Sequence, residues 1–206
     1  SQSPWLAPQT LPKNIHHDKY VPGLPIYKPG EYAPEDEPKP DFDTNGWPKP
    51  KRDLALDLLK KAGALHVTGD QHLGTTGQYG LKGHNDGPWW ISTPATANTF
   101  PRRWMPSEPG KNRRSGDPKW LGEFSDAFGN PFNMHAVANP HDIDRAPARL
   151  FDRAVGYSVI SFSPSTGHAT LANWPYWASP AKSAPDNTPY PGWPIVIDPK
   201  SGSRIR

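Results

Sequence analysis

The sequence predicts an α/β (α+β) fold with long proline-rich loops, and three observations predict it. A helix pattern over residues 52–62 runs through a glycine into a short apolar segment, residues 64–68. A second pair of apolar segments, within residues 156–174, has the pattern of a β-hairpin. Proline makes up 28 of the 206 residues, about three times its usual share. Because proline fixes φ and lacks an amide donor, much of the remaining chain must be irregular.

Residues 1–50 form a proline-rich opening segment. Eleven prolines are spread over these residues, and their spacing excludes a helix of any length. The pattern predicts an extended, polyproline-like segment interrupted by turns. We therefore divide the chain into this opening segment and a folded portion, residues 51–206.

The helix prediction, residues 52–62, depends on its charge order and on its end. Two aspartates come early and two lysines come late, which suits the helix dipole, and Gly63 suits the position after a helix. The apolar residues 64–68 then predict a buried strand. Helix, glycine turn and strand are half of an α/β unit, and ligands gather at the carboxyl ends of strands in such sheets.

Further strands are predicted downstream. Residues 89–100 and 133–137 are strand candidates, residues 105–130 have the composition of a loop, and residues 194–197 are a last apolar run. The hairpin is the best supported, because GYSVISF and HATLANW flank the turn sequence SPSTG.

Charge and composition exclude several function classes. The formal net charge is +3 and the basic residues are scattered among 20 acidic ones, so the sequence does not indicate nucleic-acid binding. One local run of basic residues, within residues 102–114, is either a solvated loop or an anion site. Cysteine is absent, which excludes disulfides and thiolate metal sites.

Membrane and export signals are not recognisable in the sequence. No stretch approaches the ~20 apolar residues of a transmembrane helix. The opening SQSPWLAPQT lacks both the pattern of a signal peptide and an initiating Met. We therefore expect the chain to be a piece of a longer polypeptide.

Asp70 and His72 are the first candidates for chemistry. They follow the predicted strand directly, and side chains two residues apart in extended backbone point to the same side. A carboxylate and an imidazole suit Fe, Zn, Mn or Ca. The alternative is an ordinary tight turn with surface side chains. His66, in the middle of the strand, is more typical of a core or supporting histidine than of a ligand.

Two aromatic residues are further candidates, Tyr79 close after this motif and Trp47 in another predicted turn. Tyr79 ends a stretch rich in Gly and Thr, which either lets backbone approach a ligand or is only a mobile turn. Trp47 follows DFDTNG, where an Asx or glycine turn pins the aromatic side chain. Trp47 is therefore a structural anchor or, alternatively, a ligand contact.

Ordered segments of the chain resemble the C-terminal half of an alkaline phosphatase D-like metallophosphatase, a branch of the calcineurin-like phosphoesterase superfamily. The resemblance covers most of the chain from about residue 41. The segments, in order, are SQSPW, DFDTNGWP with the leucine-rich helix, HVTGDQHLGTTGQYG, STPATANTFPRRW, GEFSDAFGN with HAVANP, DRAVGYSVISF and YPGWPIVI.

This resemblance implies a fold, an activity and a set of site residues. The implied fold is a calcineurin-like β-sandwich flanked by helices, with a dinuclear metal centre at the strand ends. The implied activity is hydrolysis of phosphate mono- or diesters in an exported protein, periplasmic or extracellular. By the resemblance His72 would be a metal ligand, and Asp70 would be either a second ligand or a residue that orients a ligand. Contacts to substrate are assigned to Trp47, Tyr79, Asn98, Arg102 and Arg103.

The resemblance also implies what this chain lacks. The other metal-binding segments of that family, an early D-x-H, a G-D-x-x-D and a D-D-H-E, do not occur in it. A dinuclear centre of Fe, Ca, Zn or Mn needs roughly six or more protein ligands. We therefore expect the chain to be inactive alone and to need the N-terminal half of the same protein or a companion chain. The alternatives are a non-catalytic module whose Trp-rich loops bind carbohydrate or protein, and an unrelated Pro/Trp-rich surface protein.

Overall fold

The computed structural model describes residues 1–15, 24–97, 100–148, 152–184 and 186–205. Within them the chain is mostly β-sheet, with one helix, and forms an α+β fold with mixed sheets, so the coarse fold class is confirmed. The helix is α1 (Lys49–Lys61), and the strands are β1 (Thr10–Pro12), β2 (Asp36–Pro38), β3 (His66–Thr68), β4 (Thr75–Tyr79), β5 (Trp89–Ser92), β6 (Gly122–Ser125), β7 (Pro131–Val137), β8 (Gly156–Phe162), β9 (Ala169–Pro175), β10 (Ile195–Asp198) and β11 (Ser203–Arg204).

Two larger sheets organise the fold. The first has the order β3-β5-β4-β7-β6 and is mixed, because β3 pairs with β5 in parallel while its other pairs are antiparallel. The second has the order β11-β10-β9-β8 and is antiparallel. The predicted hairpin is confirmed as β8 and β9, paired from Gly156 opposite Pro175 to Phe162 opposite Ala169.

The helix begins earlier than predicted and ends where expected. It starts at Lys49 and carries Pro50 in its first turn, where a missing amide hydrogen costs nothing because that group has no partner in the helix. Ala62 caps its C-terminus, and Gly63 follows with φ +60°. Leu56 is fully buried, whereas Leu58 is 59% exposed, so the helix buries only a narrow face.

Two apolar cores lie on opposite faces of the five-stranded sheet. Trp89 and Ile91 pack with the second sheet, and this group is the inter-sheet core. Trp90 points the other way and packs with Leu6 and Leu56, and that group is the outer core. The alternation along β5 follows from the two-residue repeat of a strand.

A bulge in β7 lets that strand contribute to both cores. Thr76 lies opposite Ala136 and Gly77 opposite Met134, so His135 is an extra residue. Met134 belongs to the outer core and Ala136 to the inter-sheet core. Residues two apart in a regular strand point to the same face, so the bulge is what turns Met134 and Ala136 to opposite faces.

The proline-rich opening segment contains a short sheet that the sequence pattern does not predict. Thr10 lies opposite Pro38 and Pro12 opposite Asp36 in the β1-β2 pair. The prolines stand at strand ends, where a missing donor is tolerated. Leu6 and Leu11 are buried, so the opening segment packs against the rest of the chain.

Other boundaries also differ from the prediction. The strand expected over residues 89–100 ends at Ser92, and β6 lies inside residues 105–130, which were expected to be loop. Pairing with β7 makes β6 a strand, and such a long-range partner is not visible in local composition. Among the described residues, no helix has the length and apolar character needed to span a bilayer.

Candidate functional site

The loop of residues 69–74 lies at one edge of the five-stranded sheet. It follows β3, and the segment that begins at Thr93 follows β5. Because β3 and β5 are parallel, with Thr68 beside Ser92, both segments leave the sheet at the same edge. This is the edge at which α/β sheets place ligands.

The backbone of this loop is not extended, so the geometric argument for Asp70 and His72 is wrong. Asp70 has φ 63° and His72 has φ 55°, both in the left-handed region that non-glycine residues avoid. The amide of Gln71 donates to the Gly69 carbonyl at 2.7 Å, which closes a tight turn. The turn draws Gln71 into the interior, where it is buried.

His72 is held by its ring. Its Nδ1 lies 2.9 Å from the carbonyl oxygen of Phe100. A carbonyl oxygen only accepts, so Nδ1 carries the proton and Nε2 carries the lone pair. Metal-binding histidines are commonly oriented by such a bond from the other ring nitrogen.

Asp70 differs from His72 in its surroundings. Its side chain is exposed, and no described residue forms a hydrogen bond or an ion pair with its carboxylate. Across the described parts of the chain, no three His, Asp or Glu side chains are close enough together to hold a metal ion. Beside Asp70 and His72, the described residues therefore offer no third metal ligand.

Asp41 joins this loop to Arg102, a connection that the sequence analysis missed. Its carboxylate pairs with the Arg102 guanidinium and also accepts a hydrogen bond from Gln71 Nε2 at 3.3 Å. Arg102 donates to Gln9 Oε1 at 3.1 Å as well. Asp41 is 3% exposed. The only sequence signal for it is its place in DFDTNGWP.

Arg103 faces away from the loop and into the protein. Its Nε and Nη2 each donate to a carboxylate oxygen of Asp36 at 2.7 Å, and its Nη1 donates to the Pro25 carbonyl at 2.8 Å. Only 4% of its side chain is exposed. The two arginines therefore do not form one phosphate fork, and Arg103 would have to leave Asp36 to reach a phosphate.

Tyr79 is completely buried and belongs to a hydrogen-bonded chain. Its hydroxyl accepts from the Trp5 amide at 3.1 Å and lies 2.9 Å from His66 Nδ1. His66 Nε2 lies 2.8 Å from Ser1 Oγ, which donates to the Ser3 carbonyl. Every bond is satisfied if Tyr79 donates to Nδ1 and His66 donates through Nε2. A ligand contact at Tyr79 would require this chain to open.

The pKa values of these buried groups shift as burial dictates. Loss of solvent raises the pKa of the Tyr79 phenol and lowers the pKa of His66 to about 4. Both groups are therefore neutral at pH 7. This agrees with the interpretation of His66 as a core or supporting histidine.

Trp47 lies in an aromatic cluster at the surface. It is 49% exposed and packs edge-on against Phe42, which packs edge-on against Phe128. The turn beneath it is fixed by Asn130, whose Nδ2 donates to the Gly46 carbonyl at 2.7 Å. We call Phe42, Trp47 and Phe128 the surface aromatic cluster. Asn98, the remaining predicted contact, lies outside the described residues.

Comparisons with known proteins add no relative. No protein-family model matches the chain, and neither a curated protein nor a solved structure matches it.

Proposed function

We propose that this chain is the C-terminal portion of a metal-dependent phosphoesterase that hydrolyses phosphate mono- or diesters. The observation that carries the proposal is the bond from His72 to the Phe100 carbonyl. It directs the lone pair to Nε2, as in an imidazole prepared to bind a metal. The two packed sheets, with α1 on the far side of the first, support a calcineurin-like sandwich as the finer fold.

The backbone of the same loop gives a second reason. Left-handed φ values at non-glycine residues cost on the order of 1–3 kcal/mol each and cluster at functional sites. Two such residues, Asp70 and His72, lie within three positions of each other. Both are at the edge where the parallel strands β3 and β5 end.

In the complete centre we assign His72 as a ligand of one metal ion. We assign Asp70 either as a ligand of the same ion or as a residue that orients a ligand. Two metal ions, drawn from Fe, Ca, Zn and Mn, would polarise the phosphoryl group and activate water. The remaining ligands would come from the N-terminal half of the same protein or from a companion chain. Export to the periplasm or the cell exterior belongs to this proposal as well.

Arg102 is the arginine better placed to meet a phosphate ester. Its side chain is 12% exposed, and its partner Asp41 also binds the 69–74 loop through Gln71. A phosphate would have to compete with Asp41 for this guanidinium. We therefore assign Arg102 a contact with substrate and leave Arg103 to its structural pair.

The test is reconstitution with a companion polypeptide that carries an early D-x-H segment. Metal content by elemental analysis and hydrolysis of p-nitrophenyl phosphate are measured for the chain, the companion and the complex. We expect the complex alone to hold metal and turn over substrate. His72→Ala should weaken metal binding at least as much as the ~10–100-fold loss that follows removal of a residue orienting a metal ligand, and it should abolish hydrolysis.

The control is His168→Ala, because His168 lies in the turn between β8 and β9, which belong to the second sheet and not to the sheet that carries β3. This variant should retain both metal and activity. The site assignment is wrong if His72→Ala leaves the metal content and hydrolysis of the complex unchanged.

The surface aromatic cluster favours a second candidate, a non-catalytic module that binds carbohydrate. Exposed aromatic rings are a common means of holding apolar ligand faces. Binding to a panel of polysaccharides is then measured with EDTA present. Trp47→Ala should abolish binding, whereas Tyr176→Ala, at an equally exposed aromatic residue (57%), should not. Binding that needs metal, or that survives Trp47→Ala, contradicts this candidate.

A further inference from the structure

A cavity of about 560 Å³ lies next to Ala138, whose amide donates to the carbonyl of Gly74 in the 69–74 loop at 2.8 Å. It is bounded by the C-terminal end of β7, the C-terminal end of β9 and the segments 117–121 and 188–192. No residue of the 69–74 loop lines it. Its volume falls within the range of small-molecule sites, which run from about 300 to 1,000 Å³.

Aromatic rings form three of its walls and are fixed in place. Trp177 and Tyr190 pack edge-to-face with centroids 6.4 Å apart, and the Tyr190 hydroxyl donates to the Val155 carbonyl at 2.8 Å. Trp120 packs against Tyr32 at 5.0 Å. Walls held in this way lose little side-chain freedom when a ligand binds.

The charge of the lining disfavours anions. The described lining contains no lysine or arginine, and its one carboxylate is Asp117. Burial lowers the pKa of His141, so this lining residue is neutral at pH 7. Arg145 lies over the Trp177 ring at 4.8 Å but does not line the cavity. Among the described lining residues, a phosphate ester would thus meet a negative group and no cation.

The polar side-chain groups that remain for a ligand are few, and two of them, His141 Nε2 and the Asp117 carboxylate, only accept hydrogen bonds. His141 Nδ1 lies 3.3 Å from the Tyr27 carbonyl, so this nitrogen donates and Nε2 carries the lone pair. Asn139 is already used, since its side chain accepts from the Trp104 amide and donates to the Trp104 carbonyl. The other polar side-chain groups of the described lining, apart from the Tyr190 hydroxyl, are Asp117, the Thr188 hydroxyl and the indole N–H groups of Trp120 and Trp177.

Aromatic walls with few polar groups favour an apolar ligand over a sugar. A sugar carries a hydroxyl on nearly every carbon, and most of these groups would lose water without gaining a partner in this cavity. An apolar ring system with one or two hydroxyl groups matches the aromatic walls and the few acceptors. We propose that the cavity binds an uncharged, ring-containing molecule that donates one hydroxyl hydrogen bond to His141 Nε2.

The experiment uses 2-naphthol as the probe, titrated calorimetrically into the full chain with EDTA present. We expect saturable binding with one site, at least tenfold weaker binding of the anion 2-naphthoate, and none of maltose. Because no metal is needed, a failure here leaves the phosphoesterase proposal standing, and the reverse also holds.

Three variants test where the probe binds. Thr188→Trp at the exposed rim should block the cavity without disturbing the core, while Thr166→Trp in the exposed β8-β9 turn should leave binding unchanged. His141→Phe keeps an aromatic ring beside Trp120 but removes the acceptor. It should weaken 2-naphthol binding about five- to tenfold and leave 2-methoxynaphthalene, which has no donor, unaffected.

Three results would overturn the proposal. The first is unchanged 2-naphthol affinity in Thr188→Trp. The second is equal binding of 2-naphthol and 2-naphthoate. The third is that His141→Phe weakens the binding of 2-methoxynaphthalene as much as that of 2-naphthol. This result would show that the imidazole ring, and not a hydrogen bond to Nε2, determines the affinity.

Discussion

Replacing Arg103 by methionine should destabilise the fold rather than impair a ligand site. The substitution removes both donors at 2.7 Å from Asp36 and, among the described residues, leaves its carboxylate with only the Thr10 hydroxyl at 2.9 Å. Asp36 is 1% exposed, so the carboxylate cannot regain water. Breaking a buried pair in this way costs about 3–5 kcal/mol.

Unfolding in urea and on heating is monitored by tryptophan fluorescence and circular dichroism. For a chain of this size, the expected loss corresponds to a fall in Tm of about 6–20 °C. Arg113→Met is the matched control, since Arg113 is exposed and its removal should change the free energy of unfolding by less than ~0.5 kcal/mol.

The double variant Arg103→Met/Asp36→Leu sharpens the result. Replacing both members of a buried ion pair with apolar groups is often nearly neutral, so much of the lost stability should return. Should Arg103→Met be as stable as Arg113→Met, the guanidinium is not committed to Asp36. The earlier assignment of Arg103 to a phosphate would then regain support.

The remaining predictions concern the helix face and acid stability. Leu56→Ala should lower the free energy of unfolding by about 2–5 kcal/mol, because Leu56 is fully buried. Leu58→Ala should lower it by less than ~0.5 kcal/mol, because Leu58 is 59% exposed. Equal urea midpoints for the two variants would contradict the orientation of the helix. Burial lowers the pKa of His135 from 6.5 to about 3 and that of His66 from 6.5 to about 4, so on acidification below about pH 6.5 the unfolded chain takes up protons that the folded chain refuses. The free energy of unfolding should therefore fall between about pH 6.5 and 4, by up to ~2 kcal/mol per histidine at pH 5. His135→Phe, which keeps a ring against Trp89, should flatten this fall in urea midpoints measured at pH 7.5 and 5, and an unchanged slope would show that His135 is not buried in its neutral form.

Local patterns in the sequence predicted the elements that depend on local chemistry. The β8-β9 hairpin and the glycine after α1 follow from alternation, turn residues and a backbone position that favours glycine. The short strand β3 also lies within its predicted segment. In each case the information is carried by residues within a few positions of one another.

The conformation of the 69–74 loop could not be predicted in the same way. Gln71 is turned inward by a bond to Asp41, a residue 30 positions earlier. Spacing rules for extended backbone therefore do not apply to Asp70 and His72. The donor role of His72 Nδ1 likewise depends on Phe100, which lies 28 residues away.

The two arginines show the same limit. Their carboxylate partners are 61 and 67 residues distant, within a proline-rich segment whose composition suggested irregular chain. The sequence shows that Arg102 and Arg103 are adjacent, but only the folded structure shows that they face different partners. For the same reason β1 and β2 were not predicted, since each becomes a strand only by pairing with the other.

The extra residue in β7 has a consequence for how this strand tolerates deletions. His135 stands between Met134 of the outer core and Ala136 of the inter-sheet core, which pair with the neighbouring residues Gly77 and Thr76. Removing His135 would make Met134 and Ala136 adjacent, and adjacent residues of a regular strand point to opposite faces, so both side chains would keep their layers. Removing Asn133 instead would send a side chain of the strand to the wrong layer, so the extra residue is the position at which a deletion disturbs the two cores least.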